Sequence, residues 1–395
     1  MIKNYMKIFN FSIKLKKFLL LIIKAKFIFD EPNKADIIIF DSRASKGLSE
    51  VLKSFNHTFL SNRIEEIQKV FITKKIILFI LENFFKKSLK INYLLCLIHI
   101  INPRILITRI DTSKDFHILS KILYKKIKCI SLLQGDRTLE FQGMLEEKPD
   151  VSKKVMDSYF IPEFFVFSDY DKKIFHASKA KVKKYEFVGS LTSSLAINYL
   201  KKKKKNFKKV NYDFCLISDP HIDSPTGNIA RYLHDVCKEK NLSYVIAADT
   251  DLSNNLELNY YRNFLNNEKF NIIRNERGKY SSYLAILKSK VIIGHKSTML
   301  RESLGLNKKV LSINAYPLFK KIGSSNVFSY KKRNNRIIWE QRKNSYQKFK
   351  NATLKIYGMP NQKYFKSLGN KEFLMKSNLN TVDIIKKKIS NYLHG

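Results

Sequence analysis

Residues 291–313 read VIIGHKSTMLRESLGLNKKVLSI, and the order of residue types in that stretch decides the fold. Lys290 to Gly294 form a short β-branched run that stops at a glycine. This reads as a strand whose last residue permits close backbone approach or a positive φ. Ser297 and Thr298 stand where a helix would start, and either can cap it. The first N–H groups of a helix have no partner within it, and the helix dipole adds partial positive charge, so this turn suits a phosphate. Glu302 follows Thr298 by four residues and shares its helix face. A carboxylate there accepts hydrogen bonds from a ribose diol. LGLNKKVLSI then stops the helix at Gly305 or Asn307 and opens a further strand. A capped helix with an ordinary surface Glu fits the same spacing, so context has to separate the two readings.

Outward from this unit, strand-like and helix-like segments alternate. The second half carries DFCLISD (213–219), GNIARYLHDVCKEKN (227–241), SYVIAAD (243–249), KFNIIRN (269–275) and KYSSYLAILKSK (279–290). The first half carries ADIIIFDS (35–42), RILITRID (104–111), IKCISLLQGD (127–136), EFFVFS (163–168) and KYEFVGS (184–190). Helical periodicity separates them in TSKDFHILSKILYKK (112–126) and DYDKKIFHASKA (169–180). Apolar runs of this length without polar alternation fit strands buried on both faces, as in a parallel sheet covered by helices. Between the halves, YLKKKKKNFKKVNY (199–212) loses its apolar content and reads as a solvated linker. The expected organisation is an α/β protein with a basic amphipathic segment at 1–29, a first Rossmann-like domain at 30–198 and the linker at 199–212. A second such domain follows at 213–350, then a helical tail at 351–395 that packs back across the domains. Two such halves create a cleft at the carboxyl ends of their sheets, where open α/β sheets bind ligands.

The chain has 395 residues, enough for about two domains. Hydrophobic residues make up 44%, which supports real cores and argues against disorder. Lys and Arg number 74 against 34 Asp and Glu, for a net charge of +40. That excess suits a polyanionic surface, nucleic acid or anionic membrane, although a strongly AT-rich coding bias produces the same excess of Lys, Asn, Ile, Phe and Tyr. Cys96, Cys129, Cys215 and Cys237 lie far apart in apolar or helical contexts and read as reduced core residues of a cytoplasmic protein. Residues 1–29 hold no acidic residue, and their longest apolar stretch, Phe18 to Ile23, is far shorter than the roughly 20 residues of a membrane span. No small-residue cleavage site follows it. A basic helix lying on an anionic leaflet and a packed terminal helix explain the segment equally well. KKIILFILENFF (74–85) and YLLCLIHII (93–101) are short, interrupted apolar runs and read as buried helices.

The stretch from Tyr280 to Ile313 resembles the nucleotide-binding segment of GT-B glycosyltransferases. The wider pattern, including ADIIIFDS, ISLLQGDR, FFVFSDYDKKIF and YEFVGSLTSSLA, is similar to a branch that builds bacterial surface carbohydrates such as capsule or lipopolysaccharide. The resemblance covers most of residues 30–315. It implies a GT-B fold, α/β with two Rossmann-like domains whose parallel sheets face a central cleft, and transfer of a sugar or polyol phosphate from a nucleotide-activated donor. It places Gly294, Ser297 and Thr298 at the donor phosphates and Glu302 at the ribose or donor sugar. It sets Gly189 and Ser190 at the cleft, with Gln134 and Gly135 matching a QHG or QNG type loop that also faces it. Here Asp136 and Arg137 follow instead, which puts a His-based mechanism at that loop in doubt.

An inverting transferase needs a base near the acceptor hydroxyl. The first-half strand ends supply Asp136 as first choice, Asp111 as second, and Asp41, each of which also reads as a cap or loop residue. Asp219, His221 and Asp223 have metal-like spacing without a further ligand at a defined distance, so their loop reads as cleft lining and no metal or other cofactor is expected. His295 is a candidate donor contact. Lys296 and Arg301 could neutralise the departing diphosphate, or Arg301 could face solvent, and Arg274 and Arg277 are further cationic candidates. The expected partners are a nucleotide-sugar, a glycan or lipid-linked acceptor and an anionic membrane surface. A CDP-linked polyol-phosphate transferase and a sugar-nucleotide epimerase fit the same scaffold. Nucleic acid is not expected, because the run Lys201 to Lys205 has only Tyr199 and Phe207 for base stacking and no known module is visible.

Overall fold

The computed structural model describes residues 23, 25–41, 45–61, 67, 69–85, 87–135, 159–178, 180–203, 210–219, 226–249, 255–274, 276, 278–295, 297–315, 338–341, 346–368, 374–375 and 380–395. Eight strands occupy the first half: β1 (Lys26–Ile28), β2 (Ile37–Phe40), β3 (His57–Leu60), β4 (Lys69–Phe71), β5 (Ile105–Thr108), β6 (Lys128–Leu132), β7 (Phe160–Val166) and β8 (Lys181–Phe187). Six of them form a wholly parallel sheet in the order β3-β2-β5-β6-β7-β8, while β1 and β4 pair separately.

Period two along the strands explains why helices cover both faces. Ile37, Ile39, Ile105 and Ile107 join one core with the helices Ser45–Val51 and Leu191–Lys202. Their neighbours Ile38, Phe40 and Leu106 join another, with the helices Leu89–Ile101 and Lys114–Leu123.

The second half contributes β9 (Tyr212–Ile217), β10 (Tyr244–Ala247), β11 (Ile272–Ile273), β12 (Ser289–Gly294), β13 (Lys309–Ala315) and β14 (Ile338–Gln341). They are parallel in the order β11-β10-β9-β12-β13-β14. Counted within this sheet, the order is 3-2-1-4-5-6, that of a doubly wound dinucleotide-binding fold, so its order reverses between β9 and β12. The first sheet, counted without β1 and β4, runs 2-1-3-4-5-6 and reverses between β2 and β5. In open α/β sheets such reversal points are where ligands bind, outside the carboxyl strand ends. The α/β fold with two Rossmann-like halves is the one expected.

Three features differ from the sequence expectations or extend them. The helix Leu191–Lys202 continues through Tyr199 to Lys202, into the expected linker, because Leu195, Ala196, Ile197 and Leu200 bury along it. The helix Lys74–Glu82 is not buried: Ile76 is its buried residue, and only one side packs on the helix Leu89–Ile101, which is buried as expected. The last helix, Thr381–His394, returns to the first domain and inserts Val382, Ile385, Ile389 and Leu393 into its core. The basic segment 1–22 lies outside the described residues. Among those described, no helix is long and apolar enough to cross a membrane.

Candidate functional site

The second-sheet reversal point is built by the opening stretch. β12 ends at Gly294, where a Cβ would stand 3.1 Å from both Ile217 and Leu300. Close packing of β9, β12 and the following helix therefore fixes this glycine, and its φ is not positive. Of the two proposed caps, Ser297 takes the role, with extended φ and ψ of −148° and 133° and its hydroxyl accepting from Met299 N–H at 3.2 Å. The eight-residue helix Thr298–Gly305 follows. His295 is buried, its Nδ1–H donating to Ile313 O at 3.0 Å.

The first domain meets this helix start directly. A Cβ on Gly135 would lie 3.2 Å from Thr298 Oγ1, so the chain just after β6 packs against the turn at Gly135. Asp111 is wholly buried and accepts weakly from Gln134 N–H at 3.5 Å, which positions that loop rather than presenting a carboxylate to the cleft. Gln134 itself is exposed. Asp41 is buried at the carboxyl end of β2 with φ of 73°, a left-handed conformation that Asp tolerates better than most residues. Gly189, with φ of 80°, takes the same region where glycine is favoured, and Ser190 beside it caps the helix Leu191–Lys202 through Ser193 N–H at 3.2 Å.

Two residues of the helix Thr298–Gly305 behave differently from expectation. Arg301 reaches neither the capped start of the helix nor solvent. It is fully buried, with Nη1 donating to Asp171 Oδ1 at 2.7 Å and Nη2 donating to Ser168 Oγ at 3.0 Å and Asp171 Oδ2 at 3.2 Å. The rings of Tyr170 and Phe167 flank it at 5.0 and 5.8 Å. The planar fork of a guanidinium suits this two-oxygen grip, which ties the helix Thr298–Gly305 to the first domain. Glu302 is also buried, accepting from Tyr283 OH at 2.7 Å and from Ser190 Oγ of the first domain. Burial pushes its carboxyl above the ordinary value, against the pull of Ser190, Tyr283 and Arg109. In this conformation its oxygens serve the domain contact rather than a ribose. Arg274 is exposed beyond the edge strand β11 and is not brought to the helix start. Asp136, Arg137, His221, Asp223, Arg277 and Lys296 lie outside the described residues.

Two groups escaped the sequence reading. Arg109, at the carboxyl end of β5, donates from Nη2 to Thr192, and its buried Nε has no hydrogen-bond partner. Burial lowers its pKa, opposed by attraction to Tyr283 and Glu302. Nothing local marks it among 74 basic residues. At the carboxyl end of β9, Ser218 Oγ bonds Glu257 and, at 2.7 Å, Tyr261 OH, while Glu257 accepts from Asp249 N–H at 3.1 Å. Among the described residues no cluster of three or more His, Cys, Asp or Glu is placed to hold a metal ion.

A protein-family comparison matches residues 148–393, more than half of the chain, to the family described as "putative O-antigen biosynthesis protein". The chain belongs to this O-antigen biosynthesis family. The family match spans β7, β8, the whole second sheet and the returning helix. No curated protein matches the chain. Among solved structures, a UDP-GlcNAc 2-epimerase from Neisseria meningitidis bound to UDP-GlcNAc is similar at 15% identity and a TM-score of 0.52, covering 90% of this chain and 99% of that one. The S. aureus protein MnaA with UDP gives 14% identity and 0.54, covering 91% and 97%. The wall teichoic acid polymerase TagF gives 13% and 0.52, covering 91% of each chain. At such identities the likeness shows the fold, and that fold is GT-B, as the sequence resemblance implies. Transferases and epimerases share it, so the fold by itself does not choose between them.

Proposed function

We propose that this O-antigen family chain is a glycosyltransferase that moves a sugar from a nucleotide-linked donor to a lipid-linked or polymeric surface-glycan acceptor at the cytoplasmic membrane face. The observation that supports it most is the capped start of the helix Thr298–Gly305. It stands at the reversal point of the second sheet, with the Gly135 loop of the first domain packed against Thr298. The helix end receives the donor diphosphate. Arg109, at the carboxyl end of β5 with a buried Nε that has no hydrogen-bond partner, is the proposed cation for the departing diphosphate. Asp136, next to the Gly135 held opposite Thr298, is the proposed base for the acceptor hydroxyl, and Asp111 holds the loop that carries it.

A thermal-shift panel of uridine, cytidine and guanosine diphosphates and their sugar conjugates tests this on the natural chain and on Ser297→Ala/Thr298→Val. A nucleotide at about 100 times its dissociation constant adds roughly 2.7 kcal/mol. The expected result is one base class that stabilises the natural chain, with most of that shift lost in the variant. Product analysis of the stabilising conjugate then separates the chemistries. Turnover only with a glycan acceptor supports sugar transfer. Selection of a cytidine-linked polyol would assign a polyol-phosphate transferase, and conversion of the nucleotide sugar alone would assign an epimerase.

A further inference from the structure

The helix Lys74–Glu82 presents an apolar side to solvent. Ile77 and Leu78 are each 48% exposed and Leu81 is 64% exposed. The chain just beyond adds Phe84 at 54%, Phe85 at 97% and Leu89 at 59%. A contiguous apolar face of this kind marks an interaction site rather than ordinary surface. Exposed Lys74, Lys75, Lys87 and Lys90 rim it, of which Lys75 and Lys90 also reach Glu31 at 3.6 Å and Asp115 at 2.6 Å. Residues 1–29, with seven lysines and no acidic residue, enter the fold at β1. β1 pairs with β4, and β4 leads through Thr73 into this helix. The most basic apolar part of the sequence and the most exposed apolar helix are thus joined at one small sheet.

We propose that this face docks the protein on an anionic lipid bilayer. The helix lies in the headgroup plane, Leu81, Phe84 and Phe85 enter the acyl boundary, and Lys74 and Lys87 sit among the phosphates. Charge separates this occupant from a second copy of the chain. Two copies meeting here would press identical lysine rims together on molecules of net charge +40, whereas anionic headgroups neutralise them. A groove of about 660 Å³ lies along β1 and β4, lined by apolar Ile28, Phe71 and Leu97 but also by Asp30, Glu31 and Lys69, and it reaches Leu60 and Ser61 at the end of β3. Leu60 O accepts from Asp41 N–H at 3.0 Å, so the groove ends beside the reversal point of the first sheet. The docking proposal rests on the exposed apolar side chains and their lysine rim. This deepens the proposed membrane-face location and rests on no property of the donor site.

Co-sedimentation of the full chain with vesicles of phosphatidylglycerol and phosphatidylcholine, against phosphatidylcholine alone, tests the proposal. The natural chain is expected to bind the anionic vesicles and not the zwitterionic ones. Leu81→Ser/Phe85→Ser should weaken binding about tenfold or more, and Lys74→Gln/Lys87→Gln about tenfold with a shallower salt dependence. Both variants change exposed side chains, so an unchanged unfolding temperature is the folding control. Three results would overturn the proposal: a natural chain that stays in the supernatant; an apolar variant that binds as tightly as the natural chain, which leaves residues 1–22 making the contact; or a natural dimer that the apolar variant dissociates, which assigns the face to a second copy. The nucleotide panel run on the same variants should be unaltered. A vesicle failure and a failure of the donor site are therefore read separately.

Discussion

Asp171→Asn removes the carboxylate charge that grips Arg301 while keeping the shape of the side chain. Arg301 and Asp171 have side-chain exposures of 0% and 2%, and their shortest contact is 2.7 Å. The guanidinium would stay buried, keeping Ser168 at 3.0 Å and two aromatic faces while losing the Asp171 carboxylate charge that it grips. Stranding one charge of a buried pair costs about 3–5 kcal/mol. For a domain of this size, that is an unfolding temperature lower by about 6–20 °C. The double change Asp171→Leu/Arg301→Met removes both charges and should recover most of the loss, since a buried pair is often replaceable by apolar residues at little net cost. The assay is thermal and urea unfolding of the three variants beside the natural chain. A single variant within about 1 kcal/mol of the natural chain would refute the reasoning, because it would mean that the pair is solvated and does not join the helix Thr298–Gly305 to the first domain. A double variant no better than the single one would refute the argument that the stranded charge is the cause.

Arg109→Gln should weaken nucleotide diphosphates about tenfold or more while leaving the bare nucleoside nearly unaffected, a split that calorimetry reads directly. Glu302→Gln keeps an acceptor for Tyr283. Because the folded carboxyl is raised above its ordinary value of 4.5, the natural side chain loses stability as pH rises from that value through the folded one, and the variant should flatten this slope in unfolding measured from pH 4 upward. Asp213 shows the opposite sign. Burial pushes its carboxyl up, but Lys290, Ser243 and Tyr357 hold it down at about 2, so its contribution is full above 3.8 and lost as pH falls from there toward 2. Asp213→Asn should abolish that acid-side step in a pH series of unfolding curves.

What the sequence disclosed follows from which interactions are local. The strands were legible because IIIF at 37–40, ILIT at 105–108 and VIIG at 291–294 are apolar without alternation, and burial on both faces is what such runs need. The cap was legible as Ser297 or Thr298, and only the backbone angles chose between them. The partners of Arg301 and Glu302 were not legible. Asp171 lies 130 positions and Ser190 112 positions upstream, and no local pattern encodes which strand end a domain closure brings near. The apolar run at 74–85 misled for a related reason, since burial depends on what packs against a helix, and among the described residues this one packs chiefly on the helix Leu89–Ile101. Arg109 was hidden by composition, one basic residue among many, and became distinct only through its buried, unsatisfied Nε.

The central claim is that the capped start of the helix Thr298–Gly305 holds the diphosphate of a nucleotide-linked donor. A crystal structure of the chain with the nucleotide diphosphate that gives the largest thermal shift tests it most directly. The account predicts phosphate oxygens within about 3 Å of backbone N–H groups at Ser297 and Thr298, with the Arg109 guanidinium facing them. A nucleotide bound elsewhere, with that turn untouched, would contradict it and leave the Gly294 to Glu302 unit as a structural joint between two domains.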